Sequence, residues 1–200
     1  MAEPVRFYFD FSSPYGYLAA QRIDAIGAKH GREVAWRPFL LGVVFKKVGT
    51  GPLLELPLKG QYSFRDMHRS ARLQGVPFKL PEPFPFSSVA ASRGFYWAEA
   101  NDPSRKKEVA LALYHRIFGE GGSLAAPEEV ADLMAGLGYD RATVLAGLGD
   151  AAVKDRLRVA TDEALEAGVF GSPFFVADGE PFWGCDRMEH LDLWLERGGW

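Results

Sequence analysis

Cysteine is nearly absent from this sequence: Cys185 is the one thiol in 200 residues. A single thiol excludes an internal disulfide and any two-cysteine redox motif, and it is typical of a protein in a reducing compartment. The four histidines, His30, His68, His115 and His190, are scattered along the chain. With one thiol they form no set of ligands at the spacing of a metal site. We therefore expect neither dithiol chemistry nor a bound metal ion.

Long apolar runs and a strong net charge are absent as well. No run approaches the ~18 to 20 apolar residues that cross a bilayer, and the N-terminal MAEPVRFYFDF lacks a basic region followed by a long apolar core. A formal net charge of -3 gives no electrostatic reason for a nucleic-acid or anionic-membrane partner. The short basic cluster Arg105–Lys107 borders Glu108 and is interpreted as a solvated helix face. We expect a cytoplasmic protein with no nucleic-acid and no membrane partner.

The first forty residues contain a strand–helix–strand pattern. Val5–Phe11 is aromatic-rich and partly alternating, which predicts a strand. Ser12, Ser13 and Pro14 then form a helix start, because serine caps a free N–H and proline at the first helical position has none. Apolar residues at helical spacing follow: Tyr15, Ala19, Ile23 and Ile26. With a second strand at Glu33–Pro38, the pattern predicts a βαβ unit with parallel strands.

From about residue 40 to 150 the pattern is helical, with Gly- and Pro-rich loops such as VGTGPLLELP. Helices are predicted near residues 60–75, 87–101, 104–118, 126–137 and 140–148. A longer helix is predicted at 151–167, with Asp150 as its N-cap and Gly168 as the residue that ends it.

The remaining residues predict a hairpin and a final helix. In FFVADGEPFWG, two short apolar runs join at Asp178-Gly179, which is a strong hairpin signal. The last helix is predicted to start at Asp186, where Asp186 and Glu189 make a capping-box pattern. The two ends of the chain therefore read as β-α-β and α-β-β-α.

Three motifs carry a resemblance to a known family. They are FYFDFSSPYGYLA at residues 7–19, TDEALEAGVFGSPFF at 161–175 and FWGCDR at 182–187. They resemble the Asp-Phe-x-Ser-Pro, Gly-Val-Phe-Gly-x-Pro and Trp-Gly-x-Asp-Arg segments of the 2-hydroxychromene-2-carboxylate isomerases, in the same order. The resemblance implies an α/β protein whose thioredoxin-like fold is interrupted by an all-helical insertion, as in DsbA-type oxidoreductases and kappa-class glutathione transferases. Residues 1–40 and 151–200 would form the thioredoxin-like domain and 41–150 the helical insertion domain.

Ser13 occupies the position where a thioredoxin-type oxidoreductase carries the first cysteine of Cys-x-x-Cys. A hydroxyl cannot form a disulfide, whereas the free N–H groups of a helix start favour an anion, including a thiolate. The resemblance implies that glutathione supplies the thiol and that the Ser13 hydroxyl donates to its sulfur. The plainer interpretation of Ser13 is a helix cap, and Ser12 is the neighbouring alternative. A serine-nucleophile enzyme is disfavoured because no Gly-x-Ser-x-Gly elbow surrounds Ser13.

Four C-terminal residues are implied by the resemblance to bind glutathione. Pro173 corresponds to a proline in a cis peptide, and Ser172 offers its backbone N–H and C=O to the cysteinyl part. Cys185 and Asp186 occupy the positions that hold the γ-glutamyl end. The plainer interpretations are a strand-initiating proline for Pro173, a small buried filler for Cys185 and a helix cap for Asp186. Cys185 is otherwise a thiol able to form mixed disulfides with glutathione.

The helical middle offers weaker candidates. Lys59 aligns with a family lysine near the glutathione or substrate carboxylate, although an ordinary exposed helix lysine would look the same. Leu53 lies where relatives often have a ligand-binding asparagine. Four aromatic residues are candidates either for a flat-substrate pocket or for core packing: Phe84, Phe86, Tyr96 and Trp97.

The function implied by the resemblance is a glutathione-dependent cis/trans isomerase acting on 2-hydroxychromene-2-carboxylate or a related aromatic pyruvate. The partner would be a small aromatic molecule, and a homodimer is expected by family analogy. A kappa-like glutathione transferase would use the same site. A thioredoxin-like binding module without catalysis is the alternative from a different functional class.

Overall fold

The structure is a computed structural model that describes residues 3–200, so residues 1 and 2 of the predicted 1–40 segment lie outside the described residues. Its sheet has the strand order β2-β1-β3-β4. The strands are β1 (Val5–Phe9), β2 (Val34–Pro38), β3 (Phe174–Ala177) and β4 (Glu180–Trp183). β1 and β2 run parallel, whereas β3 is antiparallel to both β1 and β4. The predicted parallel pair and the predicted hairpin are therefore confirmed.

Ten α-helices lie within residues 3–200. They are α1 (Pro14–Ala20), α2 (Ile23–Lys29), α3 (Leu41–Val48), α4 (Lys59–Gln74), α5 (Val89–Asn101), α6 (Lys106–Tyr114), α7 (Pro127–Gly136), α8 (Arg141–Leu148), α9 (Ala151–Glu166) and α10 (Met188–Arg197). A π-helical turn, His115–Gly119, extends α6, and short 3-10 turns lie at Leu53–Glu55 and Cys185–Arg187. All five helices predicted between residues 60 and 148 are confirmed, and so is the helix ended by Gly168.

Apart from the last helix, two helices and one cap bond differ from the predictions. The helix predicted after Ser13 is two helices, with a break at Gln21 and Arg22. The sequence patterns do not predict α3, because its N-cap residue, Leu40, forms no side-chain cap bond. Asp150 does lie at the N-cap of α9, but its side chain forms no cap hydrogen bond.

The predicted start of the last helix at Asp186 is wrong. Residues Cys185–Arg187 form a 3-10 turn, and α10 begins only at Met188 with no side-chain cap bond. The turn is fixed by backbone contacts: the Gly184 N–H donates to the Pro173 carbonyl at 3.0 Å and the Arg187 N–H to the Gly184 carbonyl at 3.1 Å. The capping box with Glu189 therefore does not form.

The sheet carries apolar side chains on both faces. One face, with Phe7 and Phe9, packs into a large core that includes α1, α2 and the helices of the 89–148 region. Within that core the Phe9 ring lies 5.6 Å from Tyr114 and 6.1 Å from Phe95. The other face, with Tyr8, packs against a smaller cluster formed by α3 and α9. The end of β1 is therefore enclosed on both sides of the sheet.

Candidate active site

Ser13 caps α1 and also contacts a distant segment. Its Oγ accepts a hydrogen bond from the Gly16 N–H at 3.0 Å, and Pro14 takes the first helical position, as predicted for a helix start. The Ser13 hydroxyl donates to the backbone carbonyl of Ser172 at 2.9 Å. Because Ser13 is 5% exposed, both contacts are shielded from water. The cap interpretation is confirmed, and the same hydroxyl joins the start of α1 to the start of β3.

Ser172 and Pro173 lie directly opposite the start of α1. The peptide bond between them is cis, the isomer that the resemblance implies. The Ser172 hydroxyl oxygen accepts a hydrogen bond from the Asp10 backbone N–H at 3.0 Å. Ser172 thus contacts Asp10 through its side chain and Ser13 through its carbonyl, and three of the sequence-predicted positions come together here.

Asp10 is the residue that sequence reasoning missed. Its carboxyl group is buried, with 1% exposure, and accepts hydrogen bonds from the Ser12 N–H at 2.7 Å and the Ser12 hydroxyl at 2.8 Å. It also accepts from the Leu41 N–H at 2.6 Å, which caps α3 from outside. Burial raises the pKa of Asp10, although these hydrogen bonds and one from Ser88 oppose the shift. The available signal was an aspartate directly after an aromatic strand, because a charged residue in an otherwise apolar segment is often functional.

A cavity of about 680 Å³ opens beside these residues. Its walls come from α3, from the loop and 3-10 turn after it, from the segment before α5 and from the segment before β3. The lining is largely apolar, and Lys46 and Lys59 are its cationic side chains among the described residues. Phe84 and Phe86 line the cavity, as does Leu53.

The other two aromatic candidates lie elsewhere. The Tyr96 hydroxyl donates to the Pro38 carbonyl at 2.6 Å inside the core, and the Trp97 ring packs edge-on against Tyr139 at 5.4 Å. Both side chains are buried and neither lines the cavity. Tyr96 and Trp97 therefore pack in the core and do not contribute to a substrate pocket.

Lys59 is the first residue of α4 and lies at the cavity edge with an exposed side chain. It forms no ion pair with any of residues 3–200. Its backbone follows Leu58, which has a φ of 63° and a side chain 89% exposed. The Lys59 N–H closes that tight turn by donating to the Pro57 carbonyl at 2.7 Å.

Cys185 and Asp186 lie outside the cavity lining. The half-buried Cys185 has its pKa raised to about 12 by burial first, then by the charges of Asp186 and Asp66. Asp66 accepts a hydrogen bond from the Tyr15 hydroxyl at 2.7 Å, and Tyr15 is a lining residue. The Asp186 side chain is 70% exposed and lies 3.2 Å from Arg187. The negative charges of Asp66 and Asp186 therefore both act on Cys185, and Asp66 is also bonded to Tyr15 of the cavity lining.

Residues 3–200 contain neither a candidate metal cluster nor a helix that could span a membrane. No three or more His, Cys, Asp or Glu side chains are grouped so that they could hold a metal ion. No helix in this range is both long enough and apolar enough to cross a bilayer.

Comparison with known proteins places this arrangement in a family. Residues 4–196 match the family model of the DSBA-like thioredoxin domain. The chain is 30% identical to a 2-hydroxychromene-2-carboxylate isomerase of Pseudomonas putida, covering 96% of this chain and 94% of that protein. It is also 30% identical to glutathione S-transferase kappa 2 of Caenorhabditis elegans, covering 94% of this chain and 89% of that protein.

A solved structure shows the same fold. It is that of a 2-hydroxychromene-2-carboxylate isomerase, with a TM-score of 0.86, 30% identity, and coverage of 96% of this chain and 94% of that chain. The predicted thioredoxin-like fold class and the family resemblance are both confirmed. The protein belongs to the DSBA-like thioredoxin domain family and, within it, to the group of 2-hydroxychromene-2-carboxylate isomerases and kappa-class glutathione transferases.

Proposed function

We propose that this protein is a glutathione-dependent cis/trans isomerase acting on 2-hydroxychromene-2-carboxylate or a related aromatic pyruvate. The observation that carries the proposal is the Ser13 hydroxyl, buried at the start of α1 beside a largely apolar cavity. A hydroxyl at this point donates to a thiolate and favours the ionised form over the thiol. The identity to the Pseudomonas putida isomerase, extending over nearly the whole chain, supports the same reaction.

The residues around Ser13 fit the parts of glutathione. The Ser172 carbonyl, held opposite Ser13 by the Pro173 segment, suits the amide N–H of the cysteinyl part. Asp66 and Asp186, the carboxylates whose charges act on Cys185, suit the ammonium of the γ-glutamyl end. Lys59 suits a carboxylate at the cavity edge.

The Ser13 hydroxyl has one proton, and in the structure that proton is donated to the Ser172 carbonyl. To donate to a sulfur instead, the hydroxyl has to turn away from that carbonyl. A buried acceptor that loses its donor costs about 1–3 kcal/mol unless another donor replaces it. An amide N–H of the ligand at Ser172 supplies that replacement, so Ser13 is released without leaving an unsatisfied carbonyl.

The cavity fits a flat aromatic substrate. Its volume of about 680 Å³ lies within the ~300–1,000 Å³ of small-molecule sites. Phe84 and Phe86 give apolar ring faces, while Lys46 and Lys59 offer charge to a substrate carboxylate. When bound, glutathione supplies a thiolate that adds to the conjugated substrate and is expelled again, which leaves a former double bond free to rotate in between.

The test combines an activity assay with a matched cap variant. Purified protein with glutathione is expected to interconvert 2-hydroxychromene-2-carboxylate and trans-o-hydroxybenzylidenepyruvate. Ser13→Ala is expected to lower kcat/KM by ~10²–10³-fold, the usual effect of removing one donor to an anion in the reaction. Asp140→Ala is the control, because it removes the side-chain cap of α8 away from the cavity. Equal activity of the Ser13→Ala and wild-type proteins would refute the role of Ser13.

A kappa-like glutathione transferase is the second candidate, favoured by the 30% identity to the Caenorhabditis elegans enzyme. It would use the same glutathione contacts and differ in the acceptor. Conjugation of a generic electrophile in the absence of isomerase activity would favour this candidate. Failure to bind glutathione in calorimetry would instead indicate a binding module without catalysis.

A further inference from the structure

The buried carboxyl group of Asp10 has no cationic side chain beside it among the described residues. None of residues 3–200 forms an ion pair with it, and its partners are backbone N–H groups and serine hydroxyls. Removing a carboxylate from water without a counter-charge costs several kcal/mol. A protein that needed only a cap for α3 could use a neutral side chain at this position. A buried carboxyl group at this position, with no counter-charge, therefore points to a role beyond packing.

Ser12 connects this buried carboxyl group to the cavity. Its hydroxyl donates to the Asp10 Oδ1 at 2.8 Å, and Ser12 itself lines the cavity. A hydroxyl that donates one bond still has lone pairs with which to accept another. The neighbouring Ser13 hydroxyl donates in a different direction, to the Ser172 carbonyl. One hydrogen bond through Ser12 thus joins the cavity beside Ser13 to the Asp10 carboxyl group.

The cavity offers no better proton acceptor. Asp10 is the one carboxylate among the described lining residues, and no histidine lines the cavity within residues 3–200. The Tyr15 hydroxyl is already donating to Asp66, and Lys46 and Lys59 are cations. For a glutathione thiol that ionises in this cavity, Asp10 is therefore the carboxylate base that the described lining residues offer.

We propose that Asp10, acting through the Ser12 hydroxyl, takes the proton of the glutathione thiol on binding and returns it when the thiol is regenerated. This inference rests on the proposed use of glutathione. The thiol proton passes to the Ser12 Oγ while the Ser12 proton passes to the Asp10 Oδ1, which leaves a thiolate, a neutral serine and a carboxylic acid. The net charge stays at −1 throughout, so two mutually repelling anions never coexist.

The surroundings of Asp10 support this exchange. Burial raises the pKa of its carboxyl group, which brings its proton affinity nearer to that of a thiol. The titratable groups on the packed elements are Tyr114 of α6, Tyr15 of α1, Lys46 of α3 and Lys59 of α4. Burial, with the charge of Asp10, raises the pKa of Tyr114 well above its usual value, so Tyr114 stays neutral.

The experiment measures the thiolate and the proton separately. Glutathione is added to the intact protein, the ultraviolet absorption of the thiolate is recorded against pH, and calorimetry in buffers of different ionisation enthalpy counts the protons released. Wild-type protein is expected to form the thiolate near neutral pH while releasing almost no proton to the buffer. Release of about one proton per thiolate formed would overturn the proposal, because the proton would then have left the protein.

Two variants and a matched control complete the test. Ser12→Ala and Asp10→Asn are expected to bind glutathione but to form the thiolate only at a pH higher by at least ~1 unit, a tenfold loss of ionised fraction. Ser104→Ala is the control, because the Ser104 hydroxyl donates to Asp102 at 2.8 Å with the same two-residue spacing, on the exposed surface. Ser12→Ala is decisive if Asp10→Asn fails to fold.

The failures can be told apart. If wild-type protein gives no heat with glutathione, the proposed function fails and this inference fails with it. If the thiolate forms equally in the wild-type and Ser12→Ala proteins, the relay alone is wrong and the role of Ser13 is unaffected.

Discussion

Gly16 lies at the centre of the site, and replacing it with alanine should damage the site from within. A Cβ at Gly16 would lie 2.5 Å from the Tyr114 hydroxyl, 3.1 Å from the Ser172 Oγ and 3.2 Å from the Ser13 Cβ. The first distance is shorter than any real contact, so Tyr114 has to move. Its hydroxyl donates to the Asp10 carbonyl at 2.9 Å and its side chain is fully buried, which leaves it little room to do so.

The magnitude follows from three opposing contributions. Alanine inside a helix is favoured over glycine by about 1 kcal/mol. Overpacking a buried site costs about 1–3 kcal/mol, and loss of the hydrogen bond between Tyr114 and Asp10 costs about 1 kcal/mol more. The Gly16→Ala protein is therefore expected to be less stable by about 1–3 kcal/mol in urea unfolding. Its kcat/KM should fall as well, because Ser13 and Ser172 are pushed apart.

A control and a double variant test the physical reason. Gly136, in the last turn of α7, has open space where a Cβ would lie, with no atom within 4 Å, and no positive φ, so Gly136→Ala should be neutral or stabilising by up to about 1 kcal/mol. Tyr114→Phe removes the hydroxyl that clashes. In the Gly16→Ala/Tyr114→Phe protein, the loss of unfolding free energy should therefore be about 1 kcal/mol smaller than the sum of the losses in the two single variants. The reasoning would be refuted if the changes in unfolding free energy of the two single variants simply added in the double variant. It would also be refuted if the Gly16→Ala protein were as stable as the wild type.

Three further changes have defined outcomes. Cys185 should react with iodoacetamide at mildly alkaline pH far more slowly in the folded protein than in urea, because burial raises its pKa to about 12 and the thiolate is the nucleophile. Asp140→Ala should lower the free energy of unfolding by about 1 kcal/mol and Asp150→Ala by much less, since only Asp140 forms a side-chain cap bond. The hydrogen bond from Lys29 lowers the pKa of Asp192 in the folded state. Asp192→Asn should thus reduce stability at neutral pH, and this difference should vanish as the pH falls below the folded pKa.

Features that depend on neighbours in sequence were predictable. The helix start at Ser13-Pro14 needs only the Gly16 N–H three residues away. The hairpin at Asp178-Gly179 needs only two residues that accept a positive φ, and their φ values are 54° and 87°. In both cases the atoms that specify the backbone lie within one turn, so the residue types alone carry the information.

α3 was missed for the opposite reason. Its start is capped by the Asp10 carboxyl group, which accepts from the Leu41 N–H and lies 31 positions earlier in the chain. The Leu40 N–H donates to the Thr161 hydroxyl, 121 positions later. Neither partner is visible in a local window. The pairing of Ser13 with Ser172, 159 positions apart, was likewise reachable only through family resemblance.

The burial of Asp10 was nevertheless implicit in the period-two pattern of the strand that it directly follows. Phe7 and Phe9 face the large core, so Tyr8 and Asp10, which alternate with them, share the opposite face. A helical crossover covers one face of such a strand. Because a second apolar layer covers Tyr8 on the other face, Asp10 on that face is also shielded from water. A buried carboxyl group must then collect donors, and those it collects belong to Ser12 and Leu41. The hydrogen bonds of the buried Asp10 carboxyl group therefore hold the start of α3, which forms one wall of the cavity. They also orient Ser12, the neighbour of Ser13.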